Sequence, residues 1–335
     1  MFEKLGTPKF IADARAQGKR YTTIAVFFIF MLLFGIGGAL QSAILTPVLF
    51  IVMMTDPAYF DILNGGYETT EEMYEAVLAY TEKLNALPSV VIVSLFATAG
   101  TVAACLVYLK LIEKRTLATA GMTKKGALPA YLRGLGLGLL LFGATIGFAA
   151  LFGGVRLVGL NRDFNALYFI LLLLGYVVQG FSEELLCRGI LMVSTAKSAR
   201  LSFALWISAF TFAALHAANS GFAPLPFINL VLFGLLMGLY MIRGGSIWGA
   251  AALHTVWNFA EGVLTSFSVS GMKMPTHLLT LLPVEGKELF IGGTFGPEGG
   301  LGATFALSVA LALFAMVPTR APVEITAEAS EPKEK

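Results

Sequence analysis

Apolar residues run through this chain in long blocks, and the breaks between blocks are short, charged, or rich in Pro and Gly. A helix needs about 20 apolar residues to cross about 30 Å of hydrocarbon. Blocks approaching that length lie at residues 22–54, 89–112, 131–152, 165–190, 202–217, 227–242, 246–267 and 300–317. The pattern predicts an all-α fold: a polytopic transmembrane helix bundle of about eight spans. The first block is too long for one straight crossing, and Gly35, Gly37, Gly38 and Pro47 mark where it can bend or break. Glycines at helical spacing (Gly134 with Gly138, Gly143 with Gly147, Gly234 with Gly238) predict close helix contacts. No strand pattern precedes Gly134, Gly136 and Gly138, so they do not make a dinucleotide loop.

Composition agrees with that pattern. Hydrophobic residues make up 57% of the chain and charged ones 13%, against about 25% charge in a soluble domain, so lipid is the main solvent. The net charge of +2 and the absence of a Lys/Arg stripe exclude nucleic acid as a partner. The position of the charges is more informative. Lys4, Lys9, Arg15, Lys19 and Arg20 precede the first block, and Lys110, Lys114, Arg115, Lys124, Lys125 and Arg133 surround the connection after the second. The positive-inside rule puts both groups in the cytoplasm. With eight crossings both termini are then cytoplasmic, and Lys197, Arg200, Arg243 and Arg320 fall on the same side; Arg156, Arg162, Lys273 and Lys287 go outside, against the trend. The segment 56–87 carries Asp56, Asp61, Glu68, Glu71, Glu72, Glu75 and Glu82 against a single Lys83 and belongs outside. Within it, residues 70–84 pattern as a short helix that Thr70 can cap. The organisation expected is a cytoplasmic segment 1–21, N-terminal membrane helices 22–164 with that acidic loop, a core at 165–267, an outer loop and last helix at 268–317, and a disordered tail at 318–335. Cys105 and Cys187 sit in apolar runs without metal-ligand spacing and read as small buried thiols.

Ionisable side chains cost at least about 2.5 kcal/mol each in a membrane helix, so those inside spans carry a functional hypothesis. The fourth block contains Gln179, Glu183, Glu184 and Arg188; the fifth ends at Phe212 and His216; the seventh contains His254 and Asn258. Glu184 and Arg188, four apart, share a helix face and can neutralise each other, whereas Glu183 points about 100° away with Gln179 one turn before it, free to act as a general base. His254 and Asn258, again four apart, offer an imidazole and a carboxamide suited to an oxyanion. A structural ion pair would explain Glu184 and Arg188 taken alone. It does not explain why two of only three histidines join both acids in successive groups with one shared polarity problem. Glu261 continues the stripe of His254 and Asn258 near the end of its block, where a solvated side chain is expected, and His277 in the outer loop receives no role.

These three groups, Glu-Glu-x-x-x-Arg, Phe-x-x-x-His and His-x-x-x-Asn on successive helices, resemble the CPBP family, which includes the type II CAAX prenyl endopeptidases and bacteriocin-processing or immunity proteins. The resemblance covers roughly residues 165–261, with support from Arg188-Gly189 and from the turn Gly244-Gly245-Ser246-Ile247-Trp248; Cys187 stands where the family commonly has an aromatic residue, and the first half of the chain has no matching motif. It implies peptide-bond hydrolysis within the membrane, with Glu183 and His216 activating water, His254 and Asn258 stabilising the tetrahedral oxyanion, and Glu184 and Arg188 in support. The implied partners are a membrane-associated or prenylated peptide or protein and the lipid bilayer, and the expected location is a bacterial inner (plasma) membrane. Glu183, His216 and His254 could also give zinc three ligands with water in the fourth position. The compact His-Glu-x-x-His spacing is absent, so a metal-independent glutamate mechanism is expected. Two other functions compete: a noncatalytic immunity or scaffold protein of the same family, which intact motifs disfavour, and a small-solute transporter, which would call for an inverted repeat of interrupted helices. One tension stands. At about 1.5 Å per residue, His216 lies about 20 Å from the start of its span and His254 about 12 Å into its own, so a shared site requires a late-starting, tilted or re-entrant fifth span.

Overall fold

The computed structural model describes residues 6–316; Lys4, Val317, Arg320 and the tail at 318–335 lie outside the described residues. Helix α1 (Lys9–Ala16) precedes the 33-residue α2 (Thr23–Thr55). The acidic segment folds into α3 (Pro57–Asn64) and α4 (Thr70–Asn85). Helices α5 (Pro88–Ala97) and α6 (Ala99–Val107) run on into a π-helical turn, Tyr108–Ile112, and α7 (Ala127–Leu151) follows. Helix α8 (Ala166–Glu184) continues through a π-helical stretch, Leu185–Met192, into α9 (Val193–Ala196). Then come α10 (Leu201–Ala214), α11 (Pro224–Gly244), α12 (Trp248–Phe259) with a π-helical extension Ala260–Leu264, α13 (Glu288–Ile291) and α14 (Leu301–Met316). A two-stranded antiparallel ribbon pairs β1 (Val155–Leu160) with β2 (Leu279–Pro283).

The protein is an all-α polytopic bundle, an integral membrane protein. Five continuous helical rods among the described residues are long and apolar enough to cross a membrane: Thr23–Thr55, Pro88–Ile112, Ala127–Leu151, Ala166–Ala196 and Pro224–Gly244. Each of the eight apolar blocks contains a helix. However, α10 and the described part of α14 are shorter than a crossing requires, and α12 reaches only 12 residues before its π-helical turn. The first block does not break at its glycines or at Pro47: α2 is helical throughout, about 50 Å at 1.5 Å per residue. In the acidic segment the cap lies one residue earlier than expected, on Thr69, whose hydroxyl accepts from the Glu72 amide at 3.2 Å. Helix α3 carries its own signals, Pro57 in the first turn and Asp56 capping the Ala58 amide at 3.1 Å. The Lys83 ammonium, 2.7 Å from the Asp56 carboxylate, holds that carboxyl below its ordinary pKa.

Packing centres on the stretch Leu185–Met192, every residue of which is buried. Small residues set how closely its neighbours approach. A Cβ at Gly134 would collide with the Gly249 carbonyl oxygen and one at Gly138 with Val256, so α7 lies directly on α12; Gly234 and Gly238 bring α11 equally close to Ala209 and Leu205 of α10. The expectation fails for Gly143 and Gly147, which have open space where a side chain would be. The sequence spacing repeats, but that face of α7 meets no second helix at these positions.

Charges at one end of the bundle tie the N-terminal segment to the core. Phe10, Ile11 and Ala14 of α1 are buried, and the Arg15 Nε donates to the Ala196 carbonyl at 3.0 Å. Glu113, fully buried, pairs with Arg115 at 2.8 Å and with Lys197 at 2.9 Å. Lys197 also donates to the Lys19 carbonyl at 2.7 Å, and Arg115 donates to the Gly189 carbonyl at 3.0 Å. Arg15, Lys19, Arg115 and Lys197 therefore share one end, as the charge pattern groups them. Removing one partner from a buried ion pair costs about 3 to 5 kcal/mol, whereas exposed pairs contribute about 0 to 1 kcal/mol. Glu113→Gln should thus strongly lower the melting temperature in detergent, while Asp13→Asn, which removes the exposed Lys9–Asp13 pair, should leave it within about a degree; equal melting of the two variants would remove the stabilising role given to Glu113.

Candidate active site

Glu183 and Glu184 close α8 just where the backbone passes into its π-helical stretch. Such turns add a residue to the helical repeat and re-aim side chains, and they are frequent at functional sites. Glu184 and Arg188 pair at 2.9 Å with both side chains fully buried. Arg188 also donates to the Gly234 carbonyl at 3.2 Å and stacks its guanidinium 4.6 Å from the centre of the Phe212 ring. The same Glu184 Oε1 lies 2.9 Å from His254 Nδ1. A carboxylate can only accept, so His254 donates from Nδ1 and Nε2 is left for the site. Glu184 is thus more than the partner of Arg188, because it fixes the orientation of the His254 ring.

Glu183 faces the other way. Its side chain is 33% exposed, and its Oε2 lies 3.6 Å from His254 Nε2. Gln179 Nε2 donates to Glu183 Oε1, and Gln179 Oε1 accepts from Asn258 Nδ2 at 3.1 Å. One carboxamide therefore bridges the acid of α8 to the Asn of α12, leaving Asn258 a second N–H to offer. His216 sits two residues beyond α10 and donates Nδ1–H to the Phe212 carbonyl at 2.9 Å, so its Nε2 is the acceptor. The rings of His216 and His254 both pack on Phe212, at 4.8 and 5.8 Å between centres.

A single cavity of about 350 Å³ gathers Glu183, His216, His254 and Asn258, and Gln179 lines it with them. The two histidines share this cavity although they lie at different distances along the chain from the starts of their helices. With 14 residues α10 rises about 21 Å, short of a full crossing, and His216 follows in the turn that leads to α11. Glu184 and Arg188 lie behind the wall rather than on it. Among the described residues no three His, Cys, Asp or Glu side chains converge so as to hold a metal ion.

Several cavity residues carry no signal in sequence. The segment after α12 turns back over the site and contributes Ser270 and Glu298. Ser270 hydrogen-bonds the Glu298 carboxylate, whose backbone amide donates to Glu261 Oε1 at 3.1 Å. Glu261 is therefore fully buried, not solvated as its place near the end of its block led us to expect: the chain beyond Leu264 folds back and covers it. From the N-terminal half come Gln41, Ser94, Thr98 and Thr101, ordinary polar residues whose convergence only the packing of α2 on α5 and α6 creates. Cys105 and Cys187 are free and buried. His277 hydrogen-bonds Thr280 at 2.9 Å in the segment after α12, apart from the cavity.

Neither a curated protein nor a solved structure matches the chain. A family model does, over residues 165–260, and it is that of the type II CAAX prenyl endopeptidase Rce1-like proteins. Those residues hold α8 to α12 and the first residue of the extension after α12, and with them Glu183, Glu184, Arg188, His216, His254 and Asn258. Residues 165–260 are thus similar to the Rce1-like type II CAAX prenyl endopeptidases, a likeness consistent with the CPBP family.

Proposed function

We propose that this protein is an intramembrane endopeptidase that hydrolyses a peptide bond of a membrane-associated or prenylated substrate, with Glu183 as its general base. The observation that carries this reading is the position of Glu183: a carboxylate open to the cavity, 3.6 Å from a histidine nitrogen whose ring is anchored by a buried ion pair. In the step we infer, Glu183, assisted by the acceptor Nε2 of His216, takes a proton from water, and the water oxygen attacks the carbonyl carbon. The developing oxyanion accepts hydrogen bonds from His254 Nε2, when that ring carries both protons, and from the free N–H of Asn258. Collapse breaks the C–N bond, and the Glu183 carboxylic acid returns the proton to the departing amine. No step runs through a metal.

Glu183→Gln, His216→Ala and His254→Ala should each nearly abolish cleavage in a folded protein, while Asn258→Ala should lower turnover by about 10² to 10³, the usual cost of one oxyanion donor. Wild-type cleavage by purified Glu183→Gln would sink the assignment. Exhaustive chelation should leave activity intact, and a loss reversed by zinc would replace the glutamate mechanism with a metal one. Glu184→Gln should lower folded yield and melting temperature more than Glu183→Gln, because it leaves Arg188 buried without its counter-charge, at about 3 to 5 kcal/mol.

The orientation we propose has both termini in the cytoplasm, with the end bearing Arg15, Lys19, Arg115 and Lys197 on that side. A reporter fused after Val317 should be active only in the cytoplasm; activity outside would reverse the arrangement.

A further inference from the structure

The cavity wall holds one acid that the proposed hydrolysis does not use. Glu298 stands in the short turn Pro297–Gly299, beyond the matched residues 165–260, and lines the same cavity as Glu183 and His254 while exposing only 6% of its surface. Neutral contacts hold that turn. Asn229 of α11 donates to the Glu298 and Gly300 carbonyls at 2.8 and 2.9 Å, and the Thr304 hydroxyl donates to Asn229 Oδ1 at 2.7 Å. Gly271 donates to the Phe295 carbonyl at 2.8 Å, which ties the turn to the neighbouring loop that carries Ser270. Gly296, at φ +107, lies so close to the Ser268 carbonyl that a Cβ there would collide with it. Both loops are therefore fixed by contacts that do not involve the Glu298 side chain. Its carboxylate accepts from the hydroxyl of Ser270, a second cavity residue, which sits at φ +47, a left-handed setting uncommon outside glycine.

A buried carboxylate is ordinarily met by a cation. Among the described residues neither Glu298 nor Glu261, whose carboxylate accepts from the Glu298 amide at 3.1 Å, forms an ion pair, and no Lys or Arg is among the described residues that line the cavity. The basic groups whose fields reach Glu298 are the imidazoles of His216 and His254. His254 is already met by Glu184 and Glu183, and His216 enters the proposed reaction as a neutral acceptor. Two carboxyl groups this close repel when both are charged, and a cation brought into the cavity offsets that repulsion, whereas an acidic guest adds to it. We propose that Glu298 is a specificity-determining residue: its carboxylate forms a subsite that takes the cationic side chain of a Lys or Arg in the peptide to be cleaved. This inference rests on the peptidase reading and adds to it the charge of the substrate.

The test begins with thermal unfolding of the full chain in detergent, titrated with three acetylated and amidated peptides, Leu-Ala-X-Ala-Leu, in which X is Lys, norleucine or Glu. The Lys peptide should raise the melting temperature saturably, with a midpoint about tenfold lower than that of the norleucine peptide, the effect of one hydrogen bond between charged groups, and the Glu peptide should act most weakly. In Glu298→Gln, whose carboxamide can still accept from Ser270, the Lys and norleucine midpoints should coincide. Glu183→Gln, which keeps Glu298, should retain the Lys preference, and Glu285→Gln, an exposed acid outside the cavity, should change nothing. A random peptide library digested by the wild-type chain should then show Lys and Arg enriched at one position near the cut, and digestion by Glu298→Gln should not. Equal Lys and norleucine midpoints on the wild-type chain, a comparison that needs no variant to fold, would overturn the subsite. So would the absence of any saturable response to the Lys peptide, or a Lys preference that survives in Glu298→Gln or vanishes in Glu183→Gln. Cleavage with one charge-blind profile in both proteins would overturn it and leave the peptidase reading intact. Lys-selective binding that depends on Glu298, with no library member cut, would support the subsite and count against the peptidase reading alone.

Discussion

Arg188 carries a full positive charge with none of its side chain in contact with solvent, and the centre of the molecule is arranged around that fact. Left unpaired, such a charge costs several kcal/mol. Here it is met by the Glu184 carboxylate, the Gly234 carbonyl and the face of Phe212. Each of these contacts recruits another element. Gly234 brings in α11, Phe212 brings in α10, and Glu184 reaches on to His254 of α12. The groups that satisfy one buried cation therefore also hold in register the helices that carry the site residues. The ion pair acts through geometry, and the cavity side of the same helix turn is left to Glu183.

The cavity walls divide the labour between the two halves of the chain. Every ionisable group on the wall comes from α8 onward, from Glu183 to Glu298, whereas α2, α5 and α6 contribute only neutral residues such as Gln41, Ser94 and Thr98. The half with the matched segment carries the groups to which the proposed acid–base chemistry is assigned. The other half adds neutral hydrogen-bonding groups to the same wall.

Helix content and the site motifs were legible in the sequence because both rest on local periodicity. A run of apolar residues reports a helix, and residues four apart report a shared face, so the different facing of Glu183 and Glu184 follows from spacing alone. Contacts that depend on tertiary return of the chain were not legible. Gln179 bridging Glu183 to Asn258, Glu184 holding His254, and the burial of Glu261 beneath the segment around Glu298 all join residues from separate elements. The π-helical turns at Tyr108–Ile112, Leu185–Met192 and Ala260–Leu264 leave no compositional mark either. The short length of α10 was hidden because residues 215–217 prolong its apolar run past the point where hydrogen bonding ends. Glycine spacing was a partial guide: it located real contacts at Gly134, Gly138, Gly234 and Gly238, but spacing does not say which face of a helix has a neighbour.

The buried triad of Glu113, Arg115 and Lys197 also bears on how the chain is assembled. Glu113 follows the second long apolar rod, and Lys197 follows the fourth, 84 residues later. A ribosome supplies these residues in order, so Glu113 and Arg115 emerge well before the lysine that completes the triad. At about 5 to 20 residues per second, that interval lasts seconds. During it the N-terminal α1 can rest against the Leu117–Ala120 turn, where Gln17 accepts from Thr116, but lacks the contacts that Arg15 and Lys19 make to Ala196 and Lys197. The triad is consequently a late clasp in biogenesis, one that closes the first half of the protein onto the second only after the helix bearing Glu183 has been inserted.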